Sequence, residues 1–496
     1  MTLEMIFVLS IGCIIVLLLF LSIRRVAENA ESLPKQQCCA AKAHIQHYRT
    51  AAEQGNAEAQ YFLGIGHLEG EGVPQDQTKA IKWFRRSAKQ GHAAAQYVLG
   101  NIYCTGEGVP EDKAKGIKWY RRSVKQGLAE AQHALGWHYF YGVGIPEDKT
   151  AAVKWFRKAV KQGDAGAQYT LGQCYFAGEG VTQDSAVAIK WFRKAARQGN
   201  PLAQYDLGSC YYYGIGVPED KAESIKWYRR AAGRGHIEAQ DLLGYWYFDG
   251  IEVSQNRAEG IKWYRRAAEG GSVRAQESLG TFYFYGTGIS QDRTEAVKWL
   301  YRAAKQGSNE SQNLLGVCFY FGKGVDKDET EGTKWLHKAV EQENKFAIEL
   351  LQIIAKGDKA ATVHEYRQAA ERGDAEAQHQ LAKCYFYGFG VSEDWTEMMK
   401  WYRQAAEQGH AEAQYLLGSW YCEGGVGVPA DVPKGIKWLL KSAGQEHAEA
   451  QYCLGIYYFD GIGVPQDKAE GIKWLHRAAK QGHEGAAEVL HSIEQK

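Results

Sequence analysis

The sequence predicts an all-α solenoid made by stacking copies of one helix pair, and three observations lead there. GEGVPQDQTKAIKWF at residues 70–84 returns 36 positions later as GEGVPEDKAKGIKWY at 106–120, and variants of it continue almost to the end of the chain. Within each copy apolar residues recur at four-residue spacing, which is the stripe of an α-helix. A break rich in Gly and Pro divides every copy in two. Self-similarity with a period of roughly 20 to 50 residues marks an array whose units pack on their neighbours, so that the core grows by addition. One long array can therefore absorb all 496 residues, more than a single compact core holds.

The unit at 56–91, NAEAQYFLGIGHLEGEGVPQDQTKAIKWFRRSAKQG, contains the whole design. Ala59, Leu63 and His67 form the buried stripe of a first helix, and later units place Tyr103 or Tyr139 last. Gly64 costs helix stability, which is tolerated where the two helices of a unit must cross closely. Gly70 and Gly72 supply turn positions, Val73 anchors the loop on the core, and Pro74 cannot continue the first helix. Asp76 precedes the second helix as an N-cap, with Asp112, Asp148, Asp184, Asp220, Asp292, Asp328, Asp394, Asp431 and Asp467 in equivalent places. One carboxylate per unit lacks the clustered oxygens a metal needs.

In the second helix Ile81, Phe84 and Ala88 follow helical spacing. Trp83 starts a ladder that continues through Trp119, Trp155, Trp191, Trp227, Trp263, Trp299, Trp335, Trp401, Trp438 and Trp474. Such a row fits packing between units better than ligand stacking. Gly91 ends the helix in a left-handed cap, and Asn56, Asp164, Ser272 or His410 opens the next first helix. His92, His236, His410, His447 and His483 share that opening place, so they belong to the repeat and form no catalytic or metal set.

Full units start at 56, 92, 128, 164, 200, 236, 272, 308, 374, 410 and 447. The predicted organisation is a capping helix plus eight repeats over 41–343, a shortened repeat at 344–373, three repeats over 374–482, and a C-terminal capping helix at 483–496. The short repeat has 30 residues, Glu365 in the Trp place and a loop reduced to Gly357 and Asp358. A changed loop alters the angle between its helices, so a change of superhelical direction is expected there. Two smaller faults are Glu252 in place of the second loop glycine and one residue inserted near Gly424 and Gly425.

Ahead of the array, Met5 to Ile23 is nineteen residues without a charge. As a helix it would be roughly 28 Å long, close to the hydrocarbon thickness of a bilayer. Residues 1–23 are therefore expected to be an uncleaved transmembrane anchor, and the polar residues 24–40 a tether. A cleaved signal would want a basic start, where this chain has Glu4, and the nearest cut, after Ala27, has Arg25 three positions back. Arg24, Arg25, Lys35 and Lys42 follow the span, which places the repeats on the cytoplasmic side. Were the segment cleaved, they would be secreted or lumenal.

Composition narrows the function. Fifty-nine Lys and Arg against 58 Asp and Glu leave a charge of +1, without the basic excess of nucleic-acid binders. Cys174, Cys210, Cys318 and Cys384 occupy one repeat position. Adjacent units stand roughly 9 to 10 Å apart, too far for the ~7 Å limit of a disulfide, so free thiols in a reducing compartment are expected. No P-loop, nucleophile elbow or HExxH occurs, so neither an enzyme nor a cofactor is expected.

The pattern AEAQYxLGxxYxxGxGVxxDxxxAxKWYRxAAxQG, seen in AEAQYLLGSWYCEGGVGVPADVPKGIKWLLKSA, resembles the Sel-like repeat, the sel-one type of tetratricopeptide-like helical hairpin, over residues 41 to 496. The resemblance implies a right-handed superhelix of antiparallel helix pairs that scaffolds protein complexes, often at membranes, in endoplasmic-reticulum quality control, cell-envelope signalling or host interaction. Cysteine-rich bacterial relatives bridge two cysteines per unit, a pattern this chain lacks. The expected function is a membrane-anchored scaffold or adaptor for other proteins; the alternative is an externally displayed receptor for peptides or glycans. First helices line the concave side of such solenoids. The freely varying positions one before, two after and six after the buried Leu are then the contact surface, with Trp137, Tyr141, Tyr213, Tyr245 and Tyr285 as candidate anchors. Drift on a solvated face, or extra packing between units, is the alternative for those five.

Overall fold

The structure is a computed structural model that describes residues 48–424 and 428–494. The predicted anchor and tether lie outside the described residues, as do residues 41–47 of the first capping helix and the inserted glycine at 425. The described residues form helices and connecting loops with no strand, and none of their helices is long and apolar enough to cross a membrane. They fall into two compact units, one ending at Trp227 and one beginning at Tyr228.

Both are built by the same rules. Ala57–Glu69 and Gln77–Lys89 are the first pair, and helices of about the same length recur to the end. Leu63, Leu99, Leu135, Leu171 and Leu207 are fully buried in the first compact unit, as are Leu243, Leu279 and Leu315 in the second. Each contributes roughly 1.5 to 3 kcal/mol relative to exposure. Close crossing explains the glycine beside each leucine: a Cβ on Gly64 would stand 2.6 Å from the buried Phe84 ring. All ten predicted aspartate caps accept a backbone N–H, from Lys79 to Asp76 through Glu470 to Asp467. Asn256 does the same in the unit that lacks the aspartate, and Glu252 adopts the left-handed φ of the glycine it replaces, 56°.

Junctions between units are held in three ways. Trp119 packs on the core its unit shares with the preceding one, around Ala80, Ile81 and Leu99, while Arg122 lies over its ring at 4.5 Å. Arg85 donates to the Tyr103 hydroxyl at 2.9 Å, and the same step of eighteen residues joins Arg157 to Tyr175 and Arg403 to Tyr421. The third is a buried amide chain. Gln60 donates to the carbonyl of Ala52 at 3.0 Å and accepts from Gln90 at 2.7 Å, so one side chain ties the end of the preceding helix to both helices of its own unit. Gln96 with Ala88 and Gln126, and Gln378 with Ala370 and Gln408, repeat the arrangement. This explains the Gln of every AEAQ, whose burial needs such partners.

The short repeat consists of Lys345–Ala355 and Lys359–Glu371, joined by three residues, with Asp358 as N-cap. In ordinary units the loop rests on the start of the preceding second helix, as Gly324 does on Arg293. With that loop reduced, the following unit reaches back across the short repeat. Tyr387 stacks on Phe321 at 6.1 Å and Phe386 on Tyr285 at 6.0 Å, while Lys323 donates to the carbonyl of Phe386 at 3.1 Å. Glu393 accepts from Arg293 at 2.5 Å and from Trp395 at 2.6 Å, and pairs with Lys323 at 3.3 Å.

Candidate partner-binding face

The framework occupies most positions of a first helix and leaves a strip of changing side chains. Position matters because successive first helices lie side by side: the fifth residue of one helix meets the next helix. Thus the Tyr169 hydroxyl donates to Asp206 at 2.9 Å, and His133 Nε2 lies 2.9 Å from the Thr170 hydroxyl.

In the first compact unit this strip is aromatic and largely neutral. Trp137 and Tyr141 come together as a parallel stack, with centroids 5.2 Å apart and planes at 5°. Trp137 Nε1 donates to His133 Nε2 at 3.0 Å, which requires the proton of that imidazole on Nδ1. Both aromatic residues are half-buried, and Trp137 also meets the Phe156 ring edge-on. Burial and the nearby Glu179 carboxylate push the Tyr141 hydroxyl up to about 12. Tyr213 is the most open of the predicted anchors, 47% exposed beside Tyr212. Asp206 is a half-buried acid of the strip; desolvation raises it to about 6, and the Tyr169 hydroxyl offsets part of the rise.

In the second compact unit the strip turns ionic. Tyr245 and Tyr285 are half-buried, and burial raises both hydroxyls. Tyr285 is already covered on one side by Phe386. Around them Asp241 is held by Arg274 at 2.6 Å, Lys383 pairs with Glu349, and Glu310 is exposed. Of the predicted anchors, then, Trp137 and Tyr141 are brought together as a stacked pair.

Reading the variable positions from the Leu missed the fifth residue. There Tyr61, Tyr97, His133, Tyr169 and Tyr205 give way to Asp241, Glu277 and Asn313, a switch visible once the units are aligned. The opening histidines also do more than mark a unit. His410 Nδ1 accepts the backbone N–H of Ala413 at 3.2 Å, and its Nε2 faces Glu376 at 3.0 Å. His447 with Glu412 and His483 with Glu449 repeat that bridge.

Among the described residues no group of three or more His, Cys, Asp or Glu is placed to hold a metal. The seven described cysteines are free, and burial pushes Cys174, Cys210, Cys318 and Cys384 up to about 12, which suppresses the thiolate.

The Sel1 repeat matches residues 45–56, 57–92, 93–128, 129–164, 165–200, 201–236, 237–272, 273–308, 309–344, 375–410, 411–447 and 448–483, passing over the short repeat. A protective antigen present in uropathogenic Escherichia coli strains, with an SLR fold, is 34% identical over 91% of this chain and 90% of its own, with a TM-score of 0.50. A Sel1 repeat protein from Oxalobacter formigenes is 32% identical over 62% of this chain and 90% of its own, with a TM-score of 0.46. No curated protein matches the chain.

Proposed function

The chain belongs to the Sel1 repeat family, and on that premise we propose that it is a membrane-anchored scaffold which holds a partner protein along the variable strip of its first helices. The observation that carries this reading is the division of labour within each unit. Caps, leucines, glutamines and tryptophans repeat because the array needs them, whereas the strip changes from unit to unit and keeps aromatic surface open at Tyr213. Trp and Tyr are effective anchors in interfaces because they bury large area at little conformational cost. No catalytic role is part of the proposal.

Affinity capture or proximity labelling from the full chain tests it. Replacing Trp137, Tyr141, Tyr213, Tyr245 and Tyr285 together by Ala is expected to lower capture of specific proteins while helicity persists. Loss of stability with capture unchanged in the folded fraction would assign these residues to packing between units.

The uncharged run Met5 to Ile23 supports anchoring, and Arg24 with Arg25 supports a cytoplasmic array. External display, with peptides or glycans as ligands, is the second reading, favoured by the similar structure being that of a protective antigen. Protease added to one side of sealed membranes separates the two: digestion of the repeats from outside would overturn the cytoplasmic placement. A mature chain beginning near residue 28 would overturn the anchor.

A further inference from the structure

The second helices change in charge along the chain. Gln77–Lys89, Lys113–Lys125, Lys149–Lys161 and Ser185–Arg197 contain Lys and Arg but neither Asp nor Glu. The acids of these units stand at the helix starts, where Asp76, Asp112, Asp148 and Asp184 cap backbone N–H groups. Bases at the starts are paired: Lys79 with Asp76 at 3.1 Å, Lys113 with Glu111 at 2.9 Å and Lys149 with Glu179 at 2.8 Å. Beyond the first turn the bases meet neutral groups instead. Arg85, Arg157 and Arg193 donate to tyrosine hydroxyls. Arg86, Arg122, Lys158 and Lys194 lie over tryptophan rings, between 3.8 and 4.7 Å from the centroids. Lys82, Lys118, Lys154 and Lys190 are exposed and form no ion pair among the described residues.

These four lysines, each just before a tryptophan, show the change most clearly. In later units a glutamate three residues earlier holds the equivalent lysine, as Glu223 holds Lys226 at 2.9 Å, Glu259 holds Lys262 at 3.2 Å and Glu295 holds Lys298 at 2.8 Å. Lys334, Lys400 and Lys473 are paired in the same way, and Lys437, three residues after Lys434, is the exception. In the first four helices the glutamate's place is taken by Lys79, Lys115, Ala151 and Val187. Because Lys82 and its counterparts hold one repeat position within one compact unit, they form a row with neighbours roughly 10 Å apart. That spacing is about one screening length at physiological salt, so the row presents a continuous positive field.

A separate observation says which anion meets it. The uncharged run Met5 to Ile23, followed by Arg24 and Arg25, precedes this same end of the array. The polar stretch 24–40 can span at most about 60 Å, which keeps the first units close to whatever surface holds the run. On the cytoplasmic side that surface carries anionic lipid.

We propose that the lysine row Lys82, Lys118, Lys154 and Lys190, with the bases around it, lies on the anionic headgroups of the membrane that holds the anchor. The proposal rests on the anchored, cytoplasmic reading and assigns the second-helix face to lipid, leaving the first-helix strip to a protein partner.

The test places the full chain in lipid nanodiscs of phosphatidylcholine, with or without phosphatidylserine, and reads lysine acetylation by mass spectrometry. Phosphatidylserine should slow labelling of the four lysines about fivefold or more, the weight of one lysine near an anionic surface, with Lys262, Lys298 and Lys334 unchanged. Salt at about 1 M, where the screening length is about 3 Å, should abolish the difference. Lys82→Gln, Lys118→Gln, Lys154→Gln and Lys190→Gln combined should remove the protection of Lys89, Lys125 and Lys161, with the melt unchanged because all four side chains are exposed.

Equal labelling in the two kinds of disc, or protection that persists in the combined variant, overturns the proposal. Protection by an oligonucleotide or by polyglutamate, with none from phosphatidylserine, would overturn the choice of lipid. Flotation with phosphatidylcholine vesicles reads the anchor alone, since that lipid offers the row no net charge. A chain that floats with them but shows no protection by phosphatidylserine would sink this proposal and leave the anchor standing. Flotation only with phosphatidylserine vesicles would uphold the basic face and remove the anchor.

Discussion

The two compact units share a framework and differ in how they fill the strip beside it. Up to Trp227 the strip is closed by aromatic and hydroxyl contacts, such as Trp137 stacked on Tyr141 and the Tyr169 hydroxyl on Asp206. From Tyr228 onward it carries ion pairs, such as Arg274 with Asp241 and Lys383 with Glu349, and outside the strip further contacts join residues far apart in sequence. Arg293 reaches Glu393, and Arg257 donates to the carbonyl of Glu423 at 2.8 Å. A nearest-neighbour array needs only the first kind of contact for stability. The second kind couples units that do not touch in a regular stack, so the two regions should respond differently to the same sort of change.

The largest expected difference comes from Glu393→Ala. It would leave Lys323, whose side chain is 7% exposed, and Arg293 without their carboxylate. Breaking a buried pair in this way costs about 3 to 5 kcal/mol. Hydrogen exchange should then rise in the second compact unit around residues 272–407, with the first unaffected. Uniform exchange across both would show that the pairs spanning the short repeat carry little of the stability.

A smaller effect, equal in both regions, is expected where the helices of a unit cross. A Cβ on Gly116 would stand 2.8 Å from the carbonyl oxygen of Gly100, and one on Gly332 the same distance from that of Gly316. Backbone cannot yield as a side chain can. Gly116→Ala and Gly332→Ala should each cost about 1 to 2 kcal/mol by denaturant unfolding, after allowing for the helix-propensity gain of about 1. A large inequality would mean that the two regions do not share one crossing geometry.

The smallest effect concerns Asp206, the half-buried acid of the first region. Desolvation pushes the Asp206 carboxyl up to about 6 in the folded chain, against the 3.8 of an ordinary aspartate. The folded state therefore binds the proton more readily than the unfolded state between those values. Ionised Asp206 costs stability above pH ~6, and the cost fades as pH falls towards ~4. Asp206→Asn should raise the melting temperature at pH ~8, and that advantage should disappear near pH ~4. A pH-independent gain would assign the effect to packing instead of charge.

Local chemistry was legible in the sequence. The ten capping aspartates, Leu63 and its counterparts, the crossing glycine Gly64 and the packed tryptophans all act inside one repeat or across one junction. Each meets the same surroundings every 36 residues, so recurrence itself reveals the role. The glutamine of AEAQ recurs as faithfully, yet its role was hidden, because a polar residue on a helix reads as solvated until its buried acceptors are known.

The candidate face was legible in outline only. Trp137 and Tyr141 were visible as large residues on a changing strip, but their stacking depends on side-chain rotamers that spacing does not specify. Tyr285 looked free by the same criterion and is covered by Phe386, 101 residues later. What the sequence determined by itself is the unit, its caps and its junction with the next unit, since those contacts lie within one period. Which distant units meet, and hence where Glu393 finds Arg293, was decided only by tertiary structure. Small rotations between units accumulate along an array, and the shortened loop at 356–358 changes their sum in a way that no single residue type records.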